Sequence, residues 1–227
     1  WLYNLHYFDD LNAINSEQRT VWHSSLIQNW IENNPLGFGN GWEPYPSSLR
    51  IVNWIKWFLL DLNLNNNVNQ MWLDSLVIQT RFLSQNLEYH LLGNHLFANA
   101  KALVFAGLFF KEEEADHWYQ LGISIINREL SEQVLSDGGN FELSPMYHAI
   151  FLEDLLDLVN IHQAYNRNFP DDLENKIVQM LEWLKVMCHP DKDIAFFNDS
   201  ALGVAPSFVE LLSYSDRLGI VFKNNQV

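Results

Sequence analysis

Apolar residues recur three and four positions apart along almost the whole chain, the period of a helix with one buried face. The first such segment spans Ser16–Asn33 and sets Val21, Leu26, Trp30 and Ile31 near one face. Pro35 and the glycines at 37, 39 and 41 end it. A second helix is predicted from Ser47 or Ser48 through "LRIVNWIKWFLLDL", with "NLNNNVNQ" as its break. Asn69–Leu92, Asn94–Phe110 and Glu112–Val134 follow, the last opening on three glutamates that suit the positive end of a helix dipole. After the loop "SDGGNFEL", Ser144-Pro145 reads as an N-cap and first helical residue. A seventh helix covers Asp171–Cys188, and a short eighth follows Pro206. Strand-like alternation is confined to "IAFF", Ile194–Phe197.

Long helices with short connections predict an all-α fold of antiparallel helix hairpins packed in series. A bundle, a solenoid and an (α/α) toroid share that pattern. The long loops rich in glycine and aromatics favour the toroid, by analogy with rings whose loops on one face build a carbohydrate cleft.

Composition narrows the function. The 227 residues suffice for a substantial core, and 48% are apolar, with nine Trp, eight Tyr and fifteen Phe. A net charge of −15, from 28 acidic and 13 basic residues without a basic cluster, argues against nucleic acid as a partner. No apolar run reaches the ~18 residues of a membrane span. The lone Cys188 excludes an intrachain disulfide and a cysteine-based metal site. The eight histidines show no HExxH and no metal spacing, so neither metal nor cofactor is expected. The chain begins at Trp1, which reads as a piece of a longer protein.

Three places carry candidate chemistry. "GNHLFANAKAL" sets Asn94 and His95 at a helix start. As an N-cap, Asn94 would satisfy orphan amides; His95, in the first turn, would be held neutral by the helix dipole and able to act as a base. "LSPMYHAI" sets Tyr147 and His148 in another first turn, where Tyr147 is equally at home as a core aromatic with Ile150, Phe151, Leu155 and Leu158. "GFGNGWEPYPSSLR" supplies Trp42 and Tyr45 for stacking on sugars, Glu43 as an acid or base, and Arg50 as a carboxylate partner; it equally reads as a loop whose aromatics cover the core. Asp137 and Glu142 flank a turn in which Asp before Gly is ordinary turn chemistry.

The stretches "GWEPYPSSLRIVNWIKW", "NLEYHLLGNHLFANAKAL" and "LSDGGNFELSPMYHAIFLEDLLDL" together resemble, in order and spacing, the N-terminal helical domain of the heparinase II/III-like polysaccharide lyases. "HPDKDIAFFNDSA", His189–Ala201, resembles that family's exit toward a further domain. The resemblance implies an incomplete (α/α) toroid over residues 1–201. Residues 202–227 would form a final helix and the start of a connection to an antiparallel β-sandwich lying beyond this chain. It implies cleavage of a uronic-acid glycan by β-elimination, in the periplasm or outside the cell by analogy, with the cytoplasm left open. Residue by residue, Asn94 matches a carboxylate-binding amide, His95 a catalytic histidine, and Tyr147 the tyrosine that protonates the leaving oxygen. His148 and Arg50 match supporting positions. The partners implied are a polysaccharide and the sandwich of the same protein, without which the piece alone is expected to be inactive. Two other readings stand beside this one. An inverting glycoside hydrolase would use Glu43 with Asp137 or Glu142, roughly 6.5–9.5 Å apart. A non-catalytic glycan-binding domain would only line a groove with aromatics.

Overall fold

The computed structural model describes residues 2–65, 69–91, 93–169 and 172–222, with only the backbone of 61–65. Among these the chain is helical throughout: α1 Thr20–Asn33, α2 Pro44–Asn65, α3 Gln70–Gln85, α4 Asn94–Phe109, α5 Glu113–Gln133, α6 Pro145–Ala164, α7 Leu173–Val186 and α8 Phe208–Arg217. The alternation at "IAFF" yields no strand. Its one pairing is an isolated bridge between Ile194 and Cys188, like that between Val134 and Asn140. Leu92, Asp171 and part of the break at "NLNNNVNQ" lie outside the described residues. No helix among the described residues is long and apolar enough to cross a membrane.

Local chemistry explains several of the helix starts. Asn69 caps α3 by accepting from the Met71 amide, and Ser144 caps α6 by accepting from the Tyr147 amide with Pro145 at the first position. Ser207 and Glu210 form a reciprocal capping box on α8. Helix α2 starts three residues before Ser47, because Pro44 and Pro46 fall in its first turn, where a missing N–H costs nothing. Helix α1 buries His23, Ile27 and Trp30, whereas Val21 and Leu26, expected on the inner face, are exposed.

The chain packs as two compact units, Trp1–Ile123 and Ser124–Val227, with α5 running across the division. In the first unit the paired residues give the helix directions. Arg50 meets Gln79 while Phe58 meets Trp72, so α2 and α3 are antiparallel. Ser48 meets Asn99 while Phe58 meets Phe109, so α2 and α4 are parallel. Gly107 lies against Ala115 and Tyr119, and Gly122 against Ala100 and Val104, so α5 runs back along α4. A Cβ at Gly107 would come 2.6 Å from the Tyr119 nitrogen, so this close approach requires glycine. Alternate helices parallel and successive ones antiparallel is the arrangement of (α/α) hairpins in series. Every residue of α4 from Leu96 to Leu108 is buried, which explains why its sequence is apolar on all sides.

In the second unit α6 packs on α7 and α8, and α7 on α8. Helix α8 buries Leu211 and Ser215 in these contacts.

Candidate active site

A cleft of about 850 Å³ opens in the first unit. Its walls come from Tyr3 and Tyr7, from the loop Gly37–Pro46, and from the α3–α4 connection that includes Glu88, His90 and His95. The N-terminal segment is pinned there by His6, whose Nδ1 accepts from the Trp30 indole at 3.0 Å. Gly41 passes so close that a Cβ on it would lie 2.8 Å from His6 Nδ1. Burial, with Arg50 nearby, holds the His6 pKa below its ordinary value.

Asn94 is not the cap of α4. Gly93, at φ 94°, takes that position without a side-chain bond, and Asn94 is the first helical residue. Its amide is thereby free of the helix backbone and donates to the Tyr45 hydroxyl at 3.4 Å, a long bond. His95 follows in the first turn. Its ring stacks on Tyr45, with centroids 4.3 Å apart and planes at 23°. Its Nδ1 donates to Glu88 Oε1 at 3.1 Å. Glu88 is 7% exposed and accepts a second bond, at Oε2, from the Asn99 amide at 3.1 Å. Asn99, fully buried, also donates to Ser48 Oγ and accepts from the Glu88 backbone N–H.

The other sequence candidates divide. Tyr45 and Glu43 line the cleft, Glu43 exposed. Trp42 lines it too but is only 5% exposed: its indole donates to the Asn34 carbonyl and its ring packs against Trp30 and Phe82. It supports the wall and offers no open stacking face. Arg50 is wholly buried, so the expectation that it meets a substrate carboxylate is corrected. Its guanidinium lies 3.8 Å over the Trp30 ring and donates to Gln79 Oε1, Ser47 Oγ and the His6 carbonyl. Burial lowers its pKa well below the usual arginine range, and those acceptors and the ring face stand in for the lost water.

In the second unit Tyr147 is the third residue of α6 and half-buried, its amide held by Ser144. His148 is fully buried, which corrects its assignment to substrate binding. Its Nδ1 accepts from the Asn140 amide and its Nε2 donates to the Met180 carbonyl at 2.9 Å. These partners require the neutral ring, and burial lowers its pKa to about 4. Stacked on Trp183 at 4.5 Å, it braces the loop before α6 against α7. Asp137 Oδ1 accepts from the Gly139 amide, the turn chemistry its sequence suggests.

The residues that sequence reasoning missed are Glu88, Asn99 and Ser48. An acid seven positions before a first-turn histidine was the available signal.

The fold is of the (α/α) class. Over residues 12–226 the chain matches the Heparinase II/III N-terminus family, and it belongs to that family of polysaccharide lyases. It is 30% identical over 186 residues to the heparin-sulfate lyase of Pedobacter heparinus, covering 75% of this chain and 27% of that protein. It is 38% identical over 117 residues to the heparin-sulfate lyase of Bacteroides stercoris, covering 50% of this chain and 18% of that one. Among solved structures, heparan sulfate lyase HepC from Pedobacter heparinus is similar over 87% of this chain and 34% of its own, with a TM-score of 0.64 and 27% identity. The chain therefore spans well under half the length of these relatives.

Proposed function

We propose that this chain supplies part of the active site of a lyase that cleaves a uronic-acid-containing polysaccharide by β-elimination. The observation that carries this reading is the adjacency of Asn94, whose amide is turned from its own helix to the Tyr45 hydroxyl, and a carboxylate-held imidazole, His95, which lines an open aromatic cleft. The reaction removes the C5 proton beside the substrate carboxylate, forms the C4–C5 double bond, and releases the glycosidic oxygen from C4 with a proton. The C5 proton is weakly acidic while the carboxylate carries its full charge, so the site must stabilise the charge that grows there.

In this reading Asn94 donates its amide protons to the substrate carboxylate and His95 Nε2 receives the C5 proton. Tyr147 is assigned the protonation of the leaving oxygen on its match to the family's motif alone, a role that a phenolic O–H can fill. Tyr45 holds the imidazole plane, and Tyr3 and Tyr7 offer aromatic surface to neighbouring sugars. Among the described residues that line the cleft there is no Lys or Arg. A C-terminal β-sandwich of the same protein would complete the cleft, and a periplasmic or extracellular setting fits such a substrate. The relatives named for heparin sulfate make glycosaminoglycans the first substrates to try.

The test is to express the protein at its full encoded length and incubate it with heparan sulfate, alginate, hyaluronan and bacterial capsular polysaccharides. Ultraviolet absorbance of the unsaturated uronate should appear with at least one of them and be lost in Asn94→Ala and Tyr147→Phe. Reducing ends released without that absorbance would instead identify a hydrolase. Binding without cleavage would identify a glycan-binding domain.

A further inference from the structure

Glu88 lies in the α3–α4 connection, and the local bonding dictates which atoms it can offer. The Asn99 side chain is locked in one orientation. Its Oδ1 accepts from the Glu88 backbone N–H at 2.9 Å, so its Nδ2 must face Glu88 Oε2 at 3.1 Å and Ser48 Oγ at 3.0 Å. Ser48 Oγ in turn donates to the Pro44 carbonyl at 2.8 Å. Every polar atom of Asn99 is thus committed, and the residue is fully buried. One carboxylate oxygen of Glu88 is fixed by Asn99, and the other points at His95 Nδ1, 3.1 Å away. No bond among the described residues engages His95 Nε2.

A neutral imidazole carries one N–H and one lone pair. A carboxylate oxygen 3.1 Å from Nδ1 accepts and cannot donate, so it selects the tautomer with the proton on Nδ1 and the lone pair on Nε2. The stack on Tyr45 fixes the plane of the same ring. A carboxylate of fixed orientation behind a histidine is how proton-accepting imidazoles are commonly held in register with their substrates.

We propose that Glu88 is the positioning residue of His95: held by Asn99 and Ser48, it keeps the proton on Nδ1 so that Nε2 is the basic atom of the lyase site. This rests on the lyase reading for its chemistry but not for its tautomer. Neither Glu88 nor Asn99 touches substrate in this scheme; both act through His95.

Glu88→Gln separates the proposal from a merely structural role. Glutamine has the same shape but one acceptor where two donors, Asn99 Nδ2 and His95 Nδ1, need one each. Asn99 cannot turn without losing its bond to the Glu88 backbone, whereas histidine can move its proton. The amide oxygen therefore goes to Asn99, the amide NH₂ faces Nδ1, and His95 becomes the Nε2–H tautomer. The experiment uses full-length protein labelled with ¹⁵N-histidine, with His95 assigned by its absence in His95→Gln. Wild type should show a protonated Nδ1 and a bare Nε2 at mildly alkaline pH. Glu88→Gln should show the reverse, with kcat lower on the order of 10²-fold or more and KM within about threefold. Glu88→Asp, which keeps the carboxylate, should retain the Nδ1–H signal and recover part of kcat.

A wild-type spectrum with Nε2 protonated overturns the proposal with no variant needed, which also covers the case that Glu88→Gln does not fold. So does a Glu88→Gln enzyme that loses activity with its tautomer unchanged. If wild type cleaves none of the polysaccharides, the lyase reading fails, while the spectrum still decides whether Glu88 sets the tautomer.

Discussion

Tyr45 lies flat against His95, with ring centroids 4.3 Å apart, and its hydroxyl receives the Asn94 amide. One side chain from the start of α2 thus touches both polar residues at the start of α4. Tyr45→Phe keeps the stack and removes the hydroxyl that receives the Asn94 amide at 3.4 Å, so turnover should fall by less than about tenfold. Tyr45→Ala frees the imidazole plane and should cost on the order of 10²-fold, since small misplacements of a reacting group are expensive. Steady-state rates of unsaturated product formation check both. Equal losses in the two variants would show that the ring stack is irrelevant.

Asn94→Ala should leave folding nearly untouched. Gly93 caps α4 and Asn94 makes no side-chain bond to the helix backbone, so the ~1 kcal/mol cap penalty does not apply. The change in unfolding free energy should stay within about 0.5 kcal/mol in urea titrations. Turnover, by contrast, should drop by about 10² to 10³, the loss that follows removal of one donor to a developing oxyanion. Near-normal turnover would remove Asn94 from the chemistry.

The ends of these helices could be read from single residues. Ser144-Pro145 announced α6 because a hydroxyl before a proline has few other uses at that position, and the structure has it as read. Asn94 misled because two adjacent residues were both competent caps, and the glycine's positive φ decided between them. Polarity marked Arg50 and His148 as chemically interesting, but burial is a property of the packed chain. Both turned inward, where their hydrogen bonds brace loops. His23 did the opposite of what its type suggests, taking the inner face of α1 beside Asp10 while Val21 and Leu26 face solvent. Glu88 gave only its spacing from His95 as a cue, since nothing in "LEYH" shows that a turn will return it to Asn99 and His95.

Arg50 should matter for stability first. Arg50→Met fills much of the same volume but leaves Gln79 Oε1 and the His6 carbonyl without their donor. One buried and one part-buried acceptor stranded in this way should cost about 2–4 kcal/mol. Denaturant unfolding of the variant reads this directly. A loss below about 1 kcal/mol would mean that the buried cation is as costly as the bonds it makes.

Tyr147→Phe keeps the ring on the first turn of α6 and removes one oxygen. Its amide bond to Ser144 is a backbone contact, so the helix start is unaffected. The thermal midpoint should move by no more than about 2 °C, the scale of a few tenths of a kcal/mol. The rate should fall by about 10² to 10⁴ if the hydroxyl is the general acid. A substrate with a leaving group that needs no proton should recover much of that loss, and a variant equally slow on both substrates would show that Tyr147 acts otherwise.

His148 gives the second unit a pH dependence of defined sign. In the fold its pKa is lowered to about 4, because burial disfavours the cation and Nδ1 is already occupied by the Asn140 amide. In the unfolded chain it returns to about 6.5. Between those values the unfolded state binds the proton and the folded state does not, so stability falls as pH drops through that window. Above about 6.5 the full contribution is present, and below about 4 it is gone. Summed over the window, one such histidine removes up to about 3 kcal/mol. His162 is lowered for the same first reason and adds to the slope, so the test must be a difference. His148→Gln can still bond Asn140 or Met180 but cannot titrate. It should be less stable than wild type at pH 7.5 and lose less further stability on acidification to pH 4.5. Parallel stability curves for the two proteins across that range would show that His148 is not the group responsible.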